Sequence, residues 1–112
     1  MKPDHVRGHL DMLLLAVLSA GPQHGYAAIA ALRERSGGTF DLPEGTVYPA
    51  LHRLERAGLL ASDWDDSGPR RRRRYALTPQ GQAALVAQER EWQDFATGVR
   101  AVLGARKLGF AS

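Results

Sequence analysis

Residues 44–58 read EGTVYPALHRLERAG, a pattern that predicts a helix with two unlike faces. At helical spacing one face is apolar and consists of Val47, Ala50, Leu51, Leu54 and Ala57. The opposite face carries hydroxyl, aromatic, imidazole and guanidinium groups, from Thr46, Tyr48, Pro49, His52, Arg53 and Arg56. Such groups reach phosphates and base edges when a helix lies in the major groove of DNA. Taken alone, the stretch fits either a recognition helix or an ordinary amphipathic surface helix, so its neighbours must distinguish the two.

Length and composition fit one small globular domain. The chain has 112 residues, of which 44% are hydrophobic and 24% are charged, and a formal net charge of +3. A domain of this size buries a modest fraction of its surface, so a partner can add stability. The chain has no cysteine, which excludes disulfide frameworks, thiolate zinc sites and thiol catalysis. This composition is compatible with a reducing cytoplasm, where we expect the protein to act.

The first twenty residues combine basic residues with an apolar run, but they do not predict a secretory signal. The run at residues 12–18 is short, and Asp4 and Asp11 acidify its flank. Residues 10–18 instead predict a core helix that ends at Gly21. Nothing approaches the roughly 20 apolar residues of a membrane span, so we expect no membrane partner. His5 and His9 stand one helical turn apart but lack a third ligand, so they predict no metal site.

His24-Gly25-Tyr26 opens a second predicted helix, which runs to about Ser36. At the start of a helix, His24 and Tyr26 can meet a phosphate beside free backbone N–H groups. Alternatively, Tyr26 is a core ring with its hydroxyl at the surface. Helical periodicity favours this alternative, because it predicts an inward face of Tyr26, Ile29, Ala30 and Leu32.

Two prolines frame the start of the recognition helix. Residues 39–42 are predicted to be extended, and Pro43 suits the first helical position. Pro49 cannot donate a hydrogen bond to the carbonyl of Gly45. Either the helix is kinked at Pro49, or its regular part begins near Thr46 as a cap. In both cases Thr46, Tyr48 and Pro49 lie at the leading end, the part that usually touches DNA in helix-turn-helix proteins.

A β-hairpin is predicted next, with strands at residues 59–64 and 70–77 and an acidic, glycine-containing turn between them. A hairpin in this place is called a wing. Its second strand opens with five arginines, at residues 70–74, and alternate ones project to opposite faces. The run fits a clamp on phosphate or the minor groove, an anionic-membrane patch, or a charged edge that resists aggregation. Its place beside the recognition helix favours the first.

A long last helix is predicted, with Thr78 as N-cap and Pro79 at the first position, running to about Leu103. Apolar residues spaced by seven predict a seam for another helix, formed by Leu85, Trp92, Phe95, Ala96, Val99, Val102 and Leu103. The first three helices already supply each other with apolar faces, so we expect a second copy of the chain as partner. The alternative is that this helix folds back on its own domain. Residues after Gly104 are predicted to fray.

Together these elements predict a mainly α (α+β) fold, a winged helix-turn-helix with a long C-terminal dimerisation helix. The expected divisions are 1–78 for the DNA-binding domain, 79–105 for the dimerisation helix and 106–112 for a disordered tail.

The same residues resemble the PadR family of transcriptional regulators, in particular its shorter members with a single C-terminal helix. The matching stretches cover about residues 10–103. They are Leu10 to Leu15, His24-Gly25-Tyr26, Glu44 to Leu51, Arg53-Leu54-Glu55, Gly58-Leu59-Leu60, and Arg70 to Thr78 with Gly81. The chain differs at Pro43, where a polar cap is common, and in an arginine run that is longer than usual.

The resemblance implies a homodimer that binds inverted-repeat operator DNA, usually as a repressor released by a small molecule or by stress. By position, it places Thr46, Tyr48, Pro49, His52 and Arg53 in the major groove. It places Arg71, Arg72 and Arg73 on phosphate or the minor groove, and His24, Gly25 and Tyr26 on the DNA backbone. Trp92 matches a tryptophan of the dimer interface, and with Phe95 it could hold a planar apolar effector. No cofactor or metal is implied.

Two other classes of function remain to be weighed. A winged helix can serve as a protein-interaction module without reading DNA, since fold does not dictate function. An enzyme is disfavoured, because the sequence shows no recognisable arrangement of nucleophile, base and orienting group and no Gly-rich phosphate loop.

Overall fold

The computed structural model describes residues 7–107, and the predicted helices and wing follow one another there in the expected order. A 3₁₀ turn at Arg7–His9 leads into helix α1. The four helices are α1, Leu10–Leu18; α2, Gly25–Arg35; α3, Glu44–Arg56; and α4, Pro79–Lys107. The three strands are β1, Gln23–His24; β2, Leu60–Asp65; and β3, Arg72–Leu77. The predicted winged helix is confirmed. His5 and residues 108–112 of the predicted tail lie outside the described residues.

The hydrophobic core lies where the first three helices meet the sheet. Its largest fully buried side chains are Tyr75, Leu14, Leu15, Leu18, Leu51, Leu54 and Val47. The apolar face predicted for α3 is confirmed except at Ala57, which caps the helix and is exposed. In α2 the prediction was wrong for Tyr26 and Ala30, which are exposed. The buried face of α2 carries Gly25, Ala28 and Leu32. The two small residues, Gly25 and Ala28, let this helix approach its neighbours closely.

The sheet has three antiparallel strands in the order β1–β3–β2. Strands β2 and β3 form the predicted wing, with Trp64 opposite Arg73. Strand β3 begins at Arg72, so Arg70 and Arg71 belong to the tip of the wing. The short β1 was not predicted, because two residues show no alternation; its pairing places His24 opposite Arg74. Residues 39–42, predicted to be extended, form a turn and an irregular loop.

The start of α4 is anchored to the residues that directly follow α3. Thr78 Oγ1 accepts a hydrogen bond from Gly81 N at 3.0 Å, as an N-cap should, and donates one to Gly58 O at 2.7 Å. A side chain on Gly81 would collide with the Leu59 carbonyl, so only glycine permits this approach. The helix continues to Lys107, and the predicted fraying after Gly104 was wrong for residues 105–107.

The first half of α4 packs on its own domain, against α1. Leu85, predicted for the dimer surface, is 8% exposed and belongs to the core, so it cannot serve a second copy. Further along, Trp92 meets His9 edge-on, with ring centroids 5.1 Å apart. The alternative in which the helix folds back therefore holds for this half, because α1 leaves apolar surface that α4 covers.

Candidate nucleic-acid interface

Helix α3 starts at Glu44, so the alternative in which its regular part begins near Thr46 as a cap is wrong. Pro43 is the N-cap rather than the first helical residue: its backbone is extended, and its carbonyl accepts from Thr46 N at 3.0 Å and Val47 N at 3.2 Å. Pro49 therefore lies inside the helix. Its missing N–H leaves the Gly45 carbonyl without a helical donor, a cost that solvent can offset because Gly45 is exposed.

The polar side of α3 carries both exposed and half-buried side chains. Pro49, His52, Arg53 and Arg56 are exposed, whereas Thr46 and Tyr48 are half-buried. Tyr48 packs on the core, and its ring lies directly against the backbone of Gly25 in α2. Burial raises the pKa of its hydroxyl, with Glu44 adding to the effect, so the group stays a protonated hydrogen-bond donor at neutral pH. The Tyr48 side chain is thus held by packing within the protein, while Pro49 and His52 project into solvent.

The start of α2 is tied to the wing through His24. Its Nε2 atom lies 2.7 Å from Asp65 Oδ2, at the end of β2. The His24 ring stacks on Tyr26, with centroids 5.4 Å apart and an interplanar angle of 8°. The Arg72 guanidinium lies near the second ring of this stack, 5.2 Å from the Tyr26 centroid. Tyr26 is 49% exposed, so of the two interpretations of this residue the one that places it in the core is wrong.

The wing arginines are held by aromatic and acidic neighbours. Arg71 and Arg73 lie over Trp64, at 4.6 and 4.9 Å from a ring centroid. Arg71 also donates to Asp66 at 2.9 Å. Such cation–π contacts hold the guanidinium groups in place against the Trp64 ring. The role of Trp64 was missed in the sequence, although a tryptophan on a strand opposite an arginine run is a signal that could have indicated it.

Two further arginine–acid pairs complete the wing. Arg73 donates to Ser62 Oγ at 3.0 Å and lies 3.6 Å from Glu55. Arg74 reaches Asp63 at 3.4 Å, on the face of the hairpin away from α3. Arg74 is thus separated from Arg71, Arg72 and Arg73, which lie together although strict alternation would place Arg72 on the same face as Arg74.

Most of the predicted DNA-binding residues meet at one surface, here called the wing cleft, with a volume of about 250 Å³. It lies between the start of α2, helix α3 and the wing. It is lined by His24, Gly25, Tyr26, Tyr48, His52, Trp64, Arg71, Arg72, Arg73 and Tyr75. The remaining predicted residues, Thr46, Pro49 and Arg53, are on the other flank of α3. They line the α1 recess together with Gly8, Leu10, Asp11, Gly45, Ala50 and Arg56.

Arg53 has a partner that the sequence did not indicate. Its two terminal nitrogens donate to the two oxygens of Asp11, at 2.9 and 2.8 Å, and the pair is partly exposed to solvent. These hydrogen bonds raise the pKa of the Arg53 guanidinium above its ordinary value. An acidic residue in the first turn of a helix is ordinary, so nothing local to Asp11 indicated the contact.

Beyond the core, α4 exposes a stripe of large apolar side chains: Trp92, Phe95, Val99, Val102 and Leu103. Ala96, also predicted for this surface, is half-buried. Beside the stripe lies an open aromatic cavity of about 360 Å³ between α1 and α4. It is lined by Gly8, His9, Asp11, Met12, Gln88, Glu91, Trp92 and Phe95.

The described residues offer cationic and aromatic groups rather than a metal centre. Among residues 7–107, no three acidic or histidine side chains are placed to hold a metal ion. Within the same part of the chain, no helix combines the length and apolar character needed to cross a bilayer. The wing cleft presents three arginines and two histidines at an open surface, which suits phosphate contacts and base-edge hydrogen bonds.

Proteins with a similar fold or sequence include transcriptional regulators from other bacteria. A regulator from Clostridium thermocellum, Cth-833, is 27% identical, with a TM-score of 0.81 over 90% of this chain and 96% of that one. A PadR family transcriptional regulator from Eggerthella lenta is 36% identical, with a TM-score of 0.79 over 89% of this chain and 86% of that one. The transcriptional regulator Rv3488 of Mycobacterium tuberculosis is 42% identical over 74 residues, which is 66% of either protein.

The family model described as "Transcriptional regulator PadR-like family" matches residues 14–87, which include α2, α3 and the whole wing. Its members are transcriptional regulators and not enzymes. On this match, supported by the similar folds, the chain belongs to the PadR-like family of transcriptional regulators.

Proposed function

We propose that this protein acts in the cytoplasm as a homodimeric, sequence-specific DNA-binding repressor on an inverted-repeat operator. The observation that carries the proposal is the wing cleft, where the recognition helix, the start of α2 and the wing arginines open onto one surface. A sequence-specific DNA-binding protein needs side chains that contact base edges and cationic groups that contact phosphates. Here the exposed polar side of α3 would supply the first, and the basic hairpin beside it the second.

Each part of the interface has its own role in this proposal. Pro49 and His52, which are exposed on α3, enter the major groove together with Thr46 and Arg53 at its flank. Arg71, Arg72 and Arg73 contact phosphates or the minor groove. His24, Gly25 and Tyr26 lie along the DNA backbone at the start of α2. Tyr48, half-buried against Gly25, mainly supports the helix and offers only its hydroxyl to the DNA.

A homodimer is supported by the apolar stripe of α4. Phe95 is 63% exposed and Val102 is 71% exposed, values that are costly for large apolar groups spaced along one helix face. Covering such side chains contributes roughly 1.5–3 kcal/mol each. A second copy of α4 would present the matching stripe, and twofold symmetry would bring two recognition helices to half-sites about one DNA turn apart, roughly 34–36 Å.

A small-molecule effector is the finer part of the proposal. The aromatic cavity brings Trp92, Phe95 and His9 together next to the apolar stripe, so a planar apolar compound could stack there and bias the dimer. The Trp64→Phe variant would leave Trp92 as the sole tryptophan of the chain. Quenching of its fluorescence by planar compounds that also weaken operator binding would support this role, and a spectrum unresponsive to a broad aromatic screen would remove it.

The decisive experiment is fluorescence anisotropy of the purified protein with its own upstream DNA and with scrambled DNA of equal length, at several salt concentrations. Tight binding that prefers the upstream DNA and falls steeply with salt is expected. Weak binding to the upstream DNA, without preference, would be followed by selection from random duplexes. Failure to select any duplex would favour the protein-interaction module, in which the wing arginines serve a protein partner.

A further inference from the structure

The acid–base pair between α1 and α3 bears on how the proposed reader distinguishes DNA sequences. Asp11 receives both terminal nitrogens of Arg53, a bidentate geometry that occupies both carboxylate oxygens. A guanidinium held in this way presents the same fork that it would offer to a phosphate or to a guanine edge. Arg53 therefore cannot engage DNA through that fork without giving up Asp11.

The surroundings of the pair make the exchange feasible. The side chains of Arg53 and Asp11 are 52% and 34% exposed, so water and an approaching duplex reach them. Exposed ion pairs contribute little to stability, which means that opening this one costs little. The pair lines the α1 recess, next to the exposed face of α3 that carries Pro49 and Arg56.

The ion pair sets the net charge of the α1 recess in the protein without DNA. Two guanidinium groups, those of Arg53 and Arg56, line it together with the single carboxylate of Asp11. With Asp11 ionised, the charge of Arg53 is neutralised locally, so the pair attracts a nearby phosphate only weakly. Without that carboxylate the same recess would be doubly cationic and would attract any phosphate backbone, whatever its sequence.

We propose that Asp11 determines specificity by competing with DNA for Arg53. On random DNA the only gain available is a phosphate contact, which replaces one ion pair with another and does not release Arg53. On the operator, Arg53 gains a base-edge contact in addition, and the exchange becomes favourable. The inference rests on the proposed function as a DNA reader, and it adds an acidic residue to the interface that lowers non-specific affinity.

The test compares the isosteric variant Asp11→Asn with the wild-type protein on operator and scrambled DNA across a salt series. Release of Arg53 adds one free cation per protomer and hence two per dimer. We expect binding to scrambled DNA to tighten roughly tenfold and the slope of log K against log salt to steepen by about 2, as for two extra phosphates. Operator affinity should change less, so the ratio of the two affinities falls.

Two controls separate this competition from a general effect of charge. Glu34→Gln removes one negative charge from the exposed last turn of α2 and should alter neither the slope nor the ratio. In an Arg53→Gln background, Asp11→Asn should have a much smaller effect on DNA binding than it has in the wild-type background. Asp11→Ser, which also suits a first turn, is a second variant should Asp11→Asn unfold, and circular dichroism checks both.

Each outcome has a definite meaning. Unchanged binding of scrambled DNA by Asp11→Asn, or weaker operator binding, would overturn the proposal and make Asp11 a support for Arg53. A full effect of Asp11→Asn in the Arg53→Gln background would also overturn it, because the carboxylate would then act by direct repulsion. If neither the wild-type protein nor the variant binds any duplex, the proposed function fails and this inference fails with it. If the wild-type protein binds its operator and the expected effects of Asp11→Asn are missing, the inference fails and the proposed function stands.

Discussion

The ring of Tyr48 occupies the space in which a side chain on residue 25 would stand. A Cβ atom built on Gly25 would lie 2.5 Å from Tyr48 Cε1 and 2.9 Å from its hydroxyl oxygen. Gly25 is the first residue of α2, and Tyr48 lies in the second turn of α3, so this contact sets how closely the two helices approach. The glycine of His24-Gly25-Tyr26 thus has a packing role that is independent of any contact with DNA.

Gly25→Ala should destabilise the protein and weaken operator binding together. The added methyl group meets an aromatic ring that is itself packed on the core, and overpacking of this kind costs about 1–3 kcal/mol. Urea unfolding would measure the loss in the free energy of unfolding, and anisotropy would measure the loss in affinity. Tyr48→Leu in the same chain should restore part of the stability, because it removes the ring carbons from the contact.

Gly45→Ala is the matched control for that prediction. Gly45 lies in the first turn of α3, and no heavy atom would stand within 4 Å of an added Cβ. We expect a small gain in stability, about 0.5–1 kcal/mol, from the lower backbone entropy of the unfolded chain. A loss as large as that of Gly25→Ala would show that α3 rejects alanine generally, and the Tyr48 contact would no longer explain the result.

Val99→Asp should convert the proposed dimer to monomers. Val99 lies within the apolar stripe of α4 and is 40% exposed, so in a dimer formed through this stripe the substitution would bury two unpaired carboxylates. Sedimentation equilibrium would report the change in mass, and operator affinity should fall because two half-sites would no longer be read together. Val86→Asp is the control. Val86 is 48% exposed on a different side of the same helix, so this variant should remain dimeric.

Arg72→Gln should weaken binding to operator and scrambled DNA about equally. Arg72 lies over the Tyr26 ring in the wing cleft, where a phosphate contact carries no sequence information. The salt slope should become shallower by about 1 for each phosphate that is no longer neutralised. Arg74→Gln removes the same charge from the face of the hairpin where Arg74 pairs with Asp63, and it should leave the slope unchanged. Equal effects of the two variants would indicate a response to net charge alone.

Much of the fold could be predicted because it depends on local patterns. Helices α1, α3 and α4 carry apolar residues at helical spacing, and the acidic turn between two short strands indicated the wing. What could not be predicted depends on pairs that are distant in sequence. Arg53 and Asp11 are 42 positions apart, and either one alone fits an ordinary surface residue.

Tyr26 and Leu85 show the same limit in opposite directions. Periodicity alone assigned Tyr26 to the core, but the close packing of Gly25 on Tyr48 turns the small residues of α2 inward and leaves the Tyr26 ring outside. The heptad spacing assigned Leu85 to a partner helix, but α1 lies near enough to bring this residue into the core. Spacing identifies an apolar face, whereas tertiary packing decides what covers it.

Acidification should loosen the junction between α2 and the wing through Asp65. Hydrogen bonds from the Ser67 side chain and backbone, and then from His24, hold the pKa of the Asp65 carboxyl well below its ordinary range. Because the folded-state pKa lies below the unfolded value of about 3.9, this carboxylate contributes stability above that pH. The contribution is lost progressively as the pH falls further toward the folded-state pKa. Urea unfolding across an acidic pH series should therefore show a shallower acid limb for Asp65→Asn than for the wild-type protein. Asp66→Asn removes a carboxylate from the same tip without removing the Ser67 and His24 hydrogen bonds, so its stability should fall with acid as steeply as that of the wild-type protein. Identical dependence of the free energy of unfolding on pH in all three proteins would exclude Asp65 as the titrating group.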